Sequence, residues 1–334
     1  MRPTIYDVAE EAGVSIATVS KVINNTGSMR DTTRTRVKDA MKQLNYHPSM
    51  MASALTGKGT KTLGLLVPDI SNPFFSEMAR TIEDRAHECG MSVIICSTYD
   101  DIEKEEKYVE LLQRQQVDGF MIASTFKNKK LLKDLRKKGT PLVMLTQDND
   151  GVDVPSVSVD DFKGGYEATS YLISLGHKNI AIIAEYQNSS SLRIYGYREA
   201  HSINSLTCSE ENIYKITASL QNAKYIFNEI MAKDNIPTAI FACNDLIAIG
   251  IIQGAREIGL SVPEDLSVIG YDNTILATTT VPELTTIAQP VTDIGKRVVD
   301  VIIEEIKEKS QVNERILFNP KLIVRGTTAQ AINT

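Results

Sequence analysis

From Thr62 onward, short apolar runs recur with helical stretches between them, at 62–67, 92–96, 119–123, 142–145, 157–159, 180–184, 239–242 and 266–270. Runs this continuously apolar are buried on both faces, and strands that alternate with helices pair in parallel. The pattern therefore predicts an α/β protein built of doubly wound parallel sheets. The order divides into two similar halves near Asp160-Asp161. The segments 284–290 and 316–325 read as crossings between the halves, the second as a single end strand. In open parallel sheets, ligands sit outside the carboxyl ends of the strands. The loop 68–75 follows the first strand there, and Pro73 opens the next helix, whose N-terminal amides suit an anionic or hydroxyl-rich ligand. Further along, Arg193 offers a planar bidentate fork.

The first 60 residues have another character. Thr4 with Asp7 reads as a capping box, and Ile5, Val8, Ala9 and Ala12 recur at helical spacing. Gly13 suits a helix end, Ser15 caps a second helix, and Val19, Val22 and Ile23 form its buried stripe. A third helix begins at 30–34, capped by Asp31 or Thr32, with Val37, Ala40, Met41 and Leu44 inward. The outward face of the second helix is small, hydroxylated or basic, as a helix lying in the DNA major groove requires. Ile16, Ala17 and Lys21 stand nearest the bases on this reading, with Thr4, Tyr6, Ser15, Thr18, Ser20, Asn24 and Thr33 set against phosphates. Charge agrees. Residues 1–60 carry eight Lys and Arg against five Asp and Glu, or +3, so with a net charge of −6 the remainder holds −9. A basic module on an acidic body binds phosphate locally.

The stretch T-I-Y-D-V-A-E-E-A-G-V-S-I-A-T-V-S-K-V-I-N at 4–24 resembles the N-terminus of the lactose-repressor/galactose-repressor (LacI/GalR) family, meeting every fixed position of T-I-x-D-V-A-x-x-A-G-V-S-x-x-T-V-S-x-V-x-N. That resemblance implies a helix-turn-helix headpiece at 1–46. It implies a hinge helix and linker at 47–60, where P-x-x-x-A-x-x-L places Ala52 at a helix pairing position and Leu55 as a minor-groove wedge. By itself the linker reads first as a flexible tether, and the resemblance reverses that order. The rest implies a two-lobed periplasmic-binding-protein-like core, with one lobe at 61–160 plus 290–323 and the other at 161–289 plus 324–334. The sequences R-I-Y-G-Y at 193–197, C-N-D at 243–245 and G-Y-D-N at 270–273 resemble that family's core motifs. By that resemblance Arg193, Asn244 and Asp272 bind an effector and Phe74 and Phe75 wall it, although Asn244 and Asp272 acting as helix caps alone would leave the same trace. The runs at 67–74 and 269–274 are nearest the catabolite-control and degradation-regulator branch. The chain has no Trp, so the aromatic floor of one sugar-binding relative does not carry over.

Other chemistries find no support. Cys89, Cys96, Cys208 and Cys243 lack metal or redox spacing. The four histidines are scattered and no nucleophile-and-base motif occurs. No apolar run reaches the roughly eighteen residues of a membrane span. The expectation is a cytoplasmic, nucleoid-associated homodimer without metal or cofactor that binds a pseudo-palindromic operator on double-stranded DNA. It is a repressor in the first instance, controlled by a small polar effector, a sugar or an anionic metabolite. Two alternatives stand beside it: control by a phosphorylated carrier protein on the core surface, and a ligand-binding protein that does not act on DNA.

Overall fold

The computed structural model describes residues 3–23, 26–47, 59–123, 126–145, 152–308 and 314–331. The chain divides into two units, Met1–Thr60 and Lys61–Thr334.

The first unit holds α1 (Ile5–Glu11), α2 (Ile16–Ile23) and α3 (Asp31–Gln43). The capping box of α1 forms as the sequence predicts: Thr4 N–H donates to Asp7 Oδ2 at 2.6 Å, and Asp7 N–H donates to Thr4 Oγ1 at 3.4 Å. Ser15 Oγ accepts from Thr18 N–H at 3.2 Å and starts α2. The third helix differs from expectation. Its N-cap is Arg30, without a side-chain cap bond, and Asp31 lies inside the first turn, where its charge faces the positive helix end. Val8, Ala9, Ala12, Val19, Val22, Val37 and Ala40 form one small core.

The second unit contains two six-stranded sheets. The first has the order β11-β5-β4-β3-β1-β2, all parallel: β1 (Thr62–Val67), β2 (Ser92–Ser97), β3 (Gly119–Ile122), β4 (Leu142–Met144), β5 (Ser156–Val159) and β11 (Arg315–Phe318). The second has the order β12-β10-β9-β8-β6-β7: β6 (Ile180–Ala184), β7 (Ile213–Lys215), β8 (Ala239–Ala242), β9 (Ser267–Asp272), β10 (Thr285–Ala288) and β12 (Lys321–Ile323). Here β12 runs antiparallel to β10 and the rest are parallel. The two sheets share one winding order. In each, the first strand lies between the second and the third, which is the switch point where a crevice opens.

Apolar layers cover both faces of each sheet. The helices that matter for the site are α4 (Pro73–Glu88) after β1, α5 (Ile102–Arg114) after β2, α6 (Lys129–Lys137) after β3 and α7 (Asp161–Ser174) after β5. After these come α8 (Asn188–Ile203) after β6, α9 (Leu220–Met231) after β7, α10 (Asp245–Glu257) after β8 and α11 (Val291–Glu308) after β10. The helix α11 packs on α4 and beneath β3, β4 and β5, in the first lobe.

The chain passes between the lobes at Asp160, at Gln289-Pro290 and at Asn319-Pro320. The last position corrects the expected boundary. The end strand is two strands, one in each sheet, so residues 321–323 pair in the second lobe and not in the first. Pro320 lacks the N–H that a continuing strand needs. β10 also lies wholly in the second sheet, which narrows the middle crossing to the two residues after it.

Candidate functional site

In the headpiece, Ile16, Ala17 and Lys21 are exposed together on one side of α2, opposite buried Val19 and Val22. Ile16 is 39% exposed and Tyr6 67%. Thr4 and Ser15 are exposed; Thr18, Ser20 and Thr33 are half-buried. Asn24, Ala52 and Leu55 lie outside the described residues. This face presents short side chains and one cation, which allows close approach of a helix to base edges.

In the core, the carboxyl ends of the strands from both lobes meet at one cleft enclosing about 750 Å³, its open mouth included. Asn72, Phe74, Phe75 and Ala123 line it from the first lobe, and Asp161, Glu185, Gln187, Arg193, Asn244 and Asp272 from the second. Gln289, at the middle crossing, also lines it. All five residues expected at an effector site therefore face one space. Asn72 caps α4 by accepting from Phe74 N–H at 3.0 Å, and so fixes the two rings, which meet edge to face with centroids 5.1 Å apart.

The placement of Arg193 begins with two glycines. A Cβ on Gly196 would strike the Phe162 carbonyl, and one on Gly165 would strike the Arg193 carbonyl. Their absence lets α7 and α8 touch backbone to backbone. Tyr197 then locks α8 to the sheet by donating to Ile180 O at 2.7 Å. Arg193 is turned inward at 5% exposure, its Nε donating to Asp161 Oδ1 at 2.8 Å and its Nη1 donating to the Cys243 carbonyl. Its guanidinium carbon lies 3.6 Å from the centre of the Tyr271 ring. The fork read as free for a ligand is thus largely engaged by the protein. Sequence reasoning missed these partners because they lie 32 and 50 residues away. Burial opposes charge on Arg193 most strongly of any single influence, but the acidic groups around it, Asp161 foremost, together outweigh it and the guanidinium stays protonated. Burial likewise raises the Asp161 carboxyl while Arg193 pulls it back, and their contact is that of an ion pair.

Asn244 caps α10 by accepting from Ile247 N–H at 2.8 Å. Capping occupies its oxygen alone. At 3% exposure, its amide nitrogen has no partner at full hydrogen-bonding geometry and only the neighbouring Glu185 carboxyl to act on, which leaves a buried donor poorly satisfied. Asp272 does not cap a regular helix. It ends β9 with φ +107°, followed by Asn273 at φ +56°, and this conformation favours glycine. The turn is held by Gln289 Nε2 donating to Asp272 Oδ1 at 2.7 Å and by Arg325 Nη2 donating to Asn273 Oδ1 at 2.6 Å. Strain of this kind persists where surrounding bonds over-determine it, and it clusters at ligand sites. Burial pushes the Asp272 carboxyl well up, with Arg193 opposing. Burial raises Glu185 also, against Arg193 and the neighbouring Asn244 amide.

Glu185, Gln187, Asp161 and Gln289 were not singled out in the sequence. The signal that would have found them is positional: each sits within three residues of the carboxyl end of a strand. No cluster of three or more metal-ligating side chains occurs among the described residues. No described helix is long and apolar enough to cross a membrane.

A DNA-reading headpiece followed by a two-lobed binding core defines a ligand-controlled DNA-binding regulator. Residues 4–49 match bacterial regulatory proteins of the lacI family, and residues 60–325 match periplasmic binding proteins and the sugar-binding domain of the LacI family. The chain belongs to the LacI family; it is a DNA-binding transcription regulator and not an enzyme. It is 42% identical to the HTH-type transcriptional regulator DegA of Bacillus subtilis, over 98% of this chain and 99% of that one. Among solved structures, it resembles the lac repressor dimer bound to operator and an anti-inducer, at 28% identity, TM-score 0.88 and coverage of 98% and 100%. It also resembles a LacI family regulator of Enterococcus faecium with bound ribose, at 34% identity, TM-score 0.74 and coverage of 81% and 100%.

Proposed function

We propose that this regulator is a cytoplasmic, homodimeric repressor that binds a pseudo-palindromic operator and responds to a small hydroxyl-rich effector held in the cleft. On this reading Ile16, Ala17 and Lys21 meet base edges, while Thr4, Tyr6, Ser15, Thr18, Ser20, Asn24 and Thr33 meet phosphates. Ala52 and Leu55 belong to the hinge in the minor groove. Phe74 and Phe75 supply an apolar wall, and Arg193, Asn244 and Asp272 supply the polar one. The observation that carries the effector reading is the Asn244 amide, a buried and poorly satisfied donor in a cleft that Phe74 and Phe75 line from the other lobe. Apolar walls with a few convergent polar groups are what small-molecule sites share. The ribose in the Enterococcus relative's structure supports a sugar. The engaged state of Arg193 argues against an anionic metabolite.

A ligand shifts DNA affinity when it binds two core states unequally, and one that touches both lobes favours the closed one. The test is operator binding by the full chain, titrated with neutral sugars and separately with phosphorylated carrier proteins. Phe74→Ala should lose the response to sugar. A response to carrier protein alone, or an undiminished sugar response in Phe74→Ala, would refute the cleft reading.

A further inference from the structure

We propose that the outer face of α6 is a second DNA-binding surface, which takes the phosphates of a duplex that the headpiece does not hold. Between residues 126 and 140 the chain carries seven Lys and Arg against one acid, Asp134, or +6, so the rest of a core at −9 holds −15. Arg136 turns inward to the buried Glu305 carboxylate at 2.6 Å and stands apart from the others. Leu132 and Leu135 are buried in the first lobe, and every exposed position from Lys129 to Lys137 is a lysine. Lys130, Lys133 and Lys137 follow one another at i+3 and i+4, a stripe about 10 Å long. Among the described residues, these three side chains make no ion pair or hydrogen bond. Surface cations elsewhere on the core do find acids: Arg114 pairs with Glu110, Arg198 with Glu210 and Lys224 with Glu257.

Helix stability does not account for the stripe. Cations are favourable at a helix C-terminus, which covers Lys137, but Lys129 and Lys130 stand in the first turn, against its positive end, with no acid there. Lys130, Lys133 and Lys137 also repel one another at their spacing. A facing polyanion removes both penalties. The apolar side of α6 is covered by the lobe, so no membrane can receive it. A protein partner needs apolar area at the centre of its contact, and the exposed positions offer none. No aromatic side chain stands among the lysines to stack an unpaired base. Double-stranded DNA needs only cations for its phosphates, and it is the polyanion this regulator is established to bind. The acidic remainder of the core acts weakly at the stripe, because charges farther away than about 8 Å are largely screened at physiological salt.

The experiment uses the full chain saturated with a short operator duplex, so that the headpieces are occupied. A second, labelled duplex of unrelated sequence is then titrated and its binding read by fluorescence anisotropy. It should bind the saturated complex, and three phosphate contacts predict a loss of about 20-fold in affinity between about 50 mM and about 150 mM salt. A variant combining Lys130→Gln, Lys133→Gln and Lys137→Gln should lose the second duplex while operator affinity and Tm stay as in the wild type. The matching triple replacement by Arg keeps the charges and should keep the second duplex. Failure of the wild type to take up the second duplex at the lower salt overturns the inference. Equal uptake by the Gln variant, or loss of uptake in the Arg variant, overturns it also.

Discussion

Replacing Arg193 by Ala removes more than a ligand contact. The side chain is 5% exposed and holds an ion pair to Asp161 at 2.8 Å, a bond to the Cys243 carbonyl and a cation–π contact with Tyr271 at 3.6 Å. Its removal strands a buried carboxylate, and breaking one side of a buried pair costs about 3–5 kcal/mol. At roughly 2–4 °C per kcal/mol for a body of this size, Tm should fall by about 6–20 °C. The assay is thermal unfolding of the wild type, Arg193→Ala, Asp161→Asn and the double variant. The two single losses should not add, because the double variant leaves no uncompensated charge, and the coupling energy should exceed about 1 kcal/mol. A Tm loss under about 3 °C, or additive losses, would refute the buried ion pair as the anchor of α8. The same measurement separates two meanings of a lost effector response: Arg193→Ala would lose it along with stability, whereas Phe74→Ala should lose it with the α7–α8 packing intact.

Lys21→Ala should reduce operator affinity unevenly across operator variants, with discrimination falling by about 1–3 kcal/mol at one base pair; a uniform loss would assign Lys21 to phosphate alone. Gly196→Ala drives a Cβ into the Phe162 carbonyl, and should destabilise the core by about 1–3 kcal/mol in denaturant unfolding; a neutral result would show that α7 and α8 can part freely. His177 and His201 are buried, and burial lowers the pKa of each below the ordinary 6.5. The folded state then binds fewer protons than the unfolded one, so their stabilisation is full above that value and is lost as pH falls through it. Tm should drop as pH falls below about 6.5, and His177→Gln with His201→Gln should flatten the drop; an unchanged slope would place the acid sensitivity elsewhere.

What the sequence made legible follows burial. β1, β6 and β8 match their apolar runs residue for residue, because strands covered on both faces leave no polar position to blur the ends. β7 left no such trace. It is three residues long at a sheet edge, with Lys215 exposed, and its pairing to β6 decides its conformation. The end strand read as one run because its apolar residues continue across Asn319-Pro320, and the change of sheet there is a tertiary event. At the site, motifs located Arg193, Asn244 and Asp272, but their partners carry no motif. Asp161 is one acid of an acidic pair, and Gln289 one amide before a proline. Only the fold shows that the first engages Arg193 and the second holds a strained turn.

The three crossings between the lobes govern the order in which the molecule comes into being. The first sheet lacks its edge strand until Phe318 has been made, and the second lacks β12 until Ile323. The headpiece, with its own core, is complete about 260 residues earlier, roughly 13 to 50 s at ordinary rates of synthesis. During that interval a nascent chain carries a finished operator-reading module tied to a core that has no closed cleft. Sensing of the effector therefore arrives last, and almost at once in both lobes, when the final short strands close their sheets.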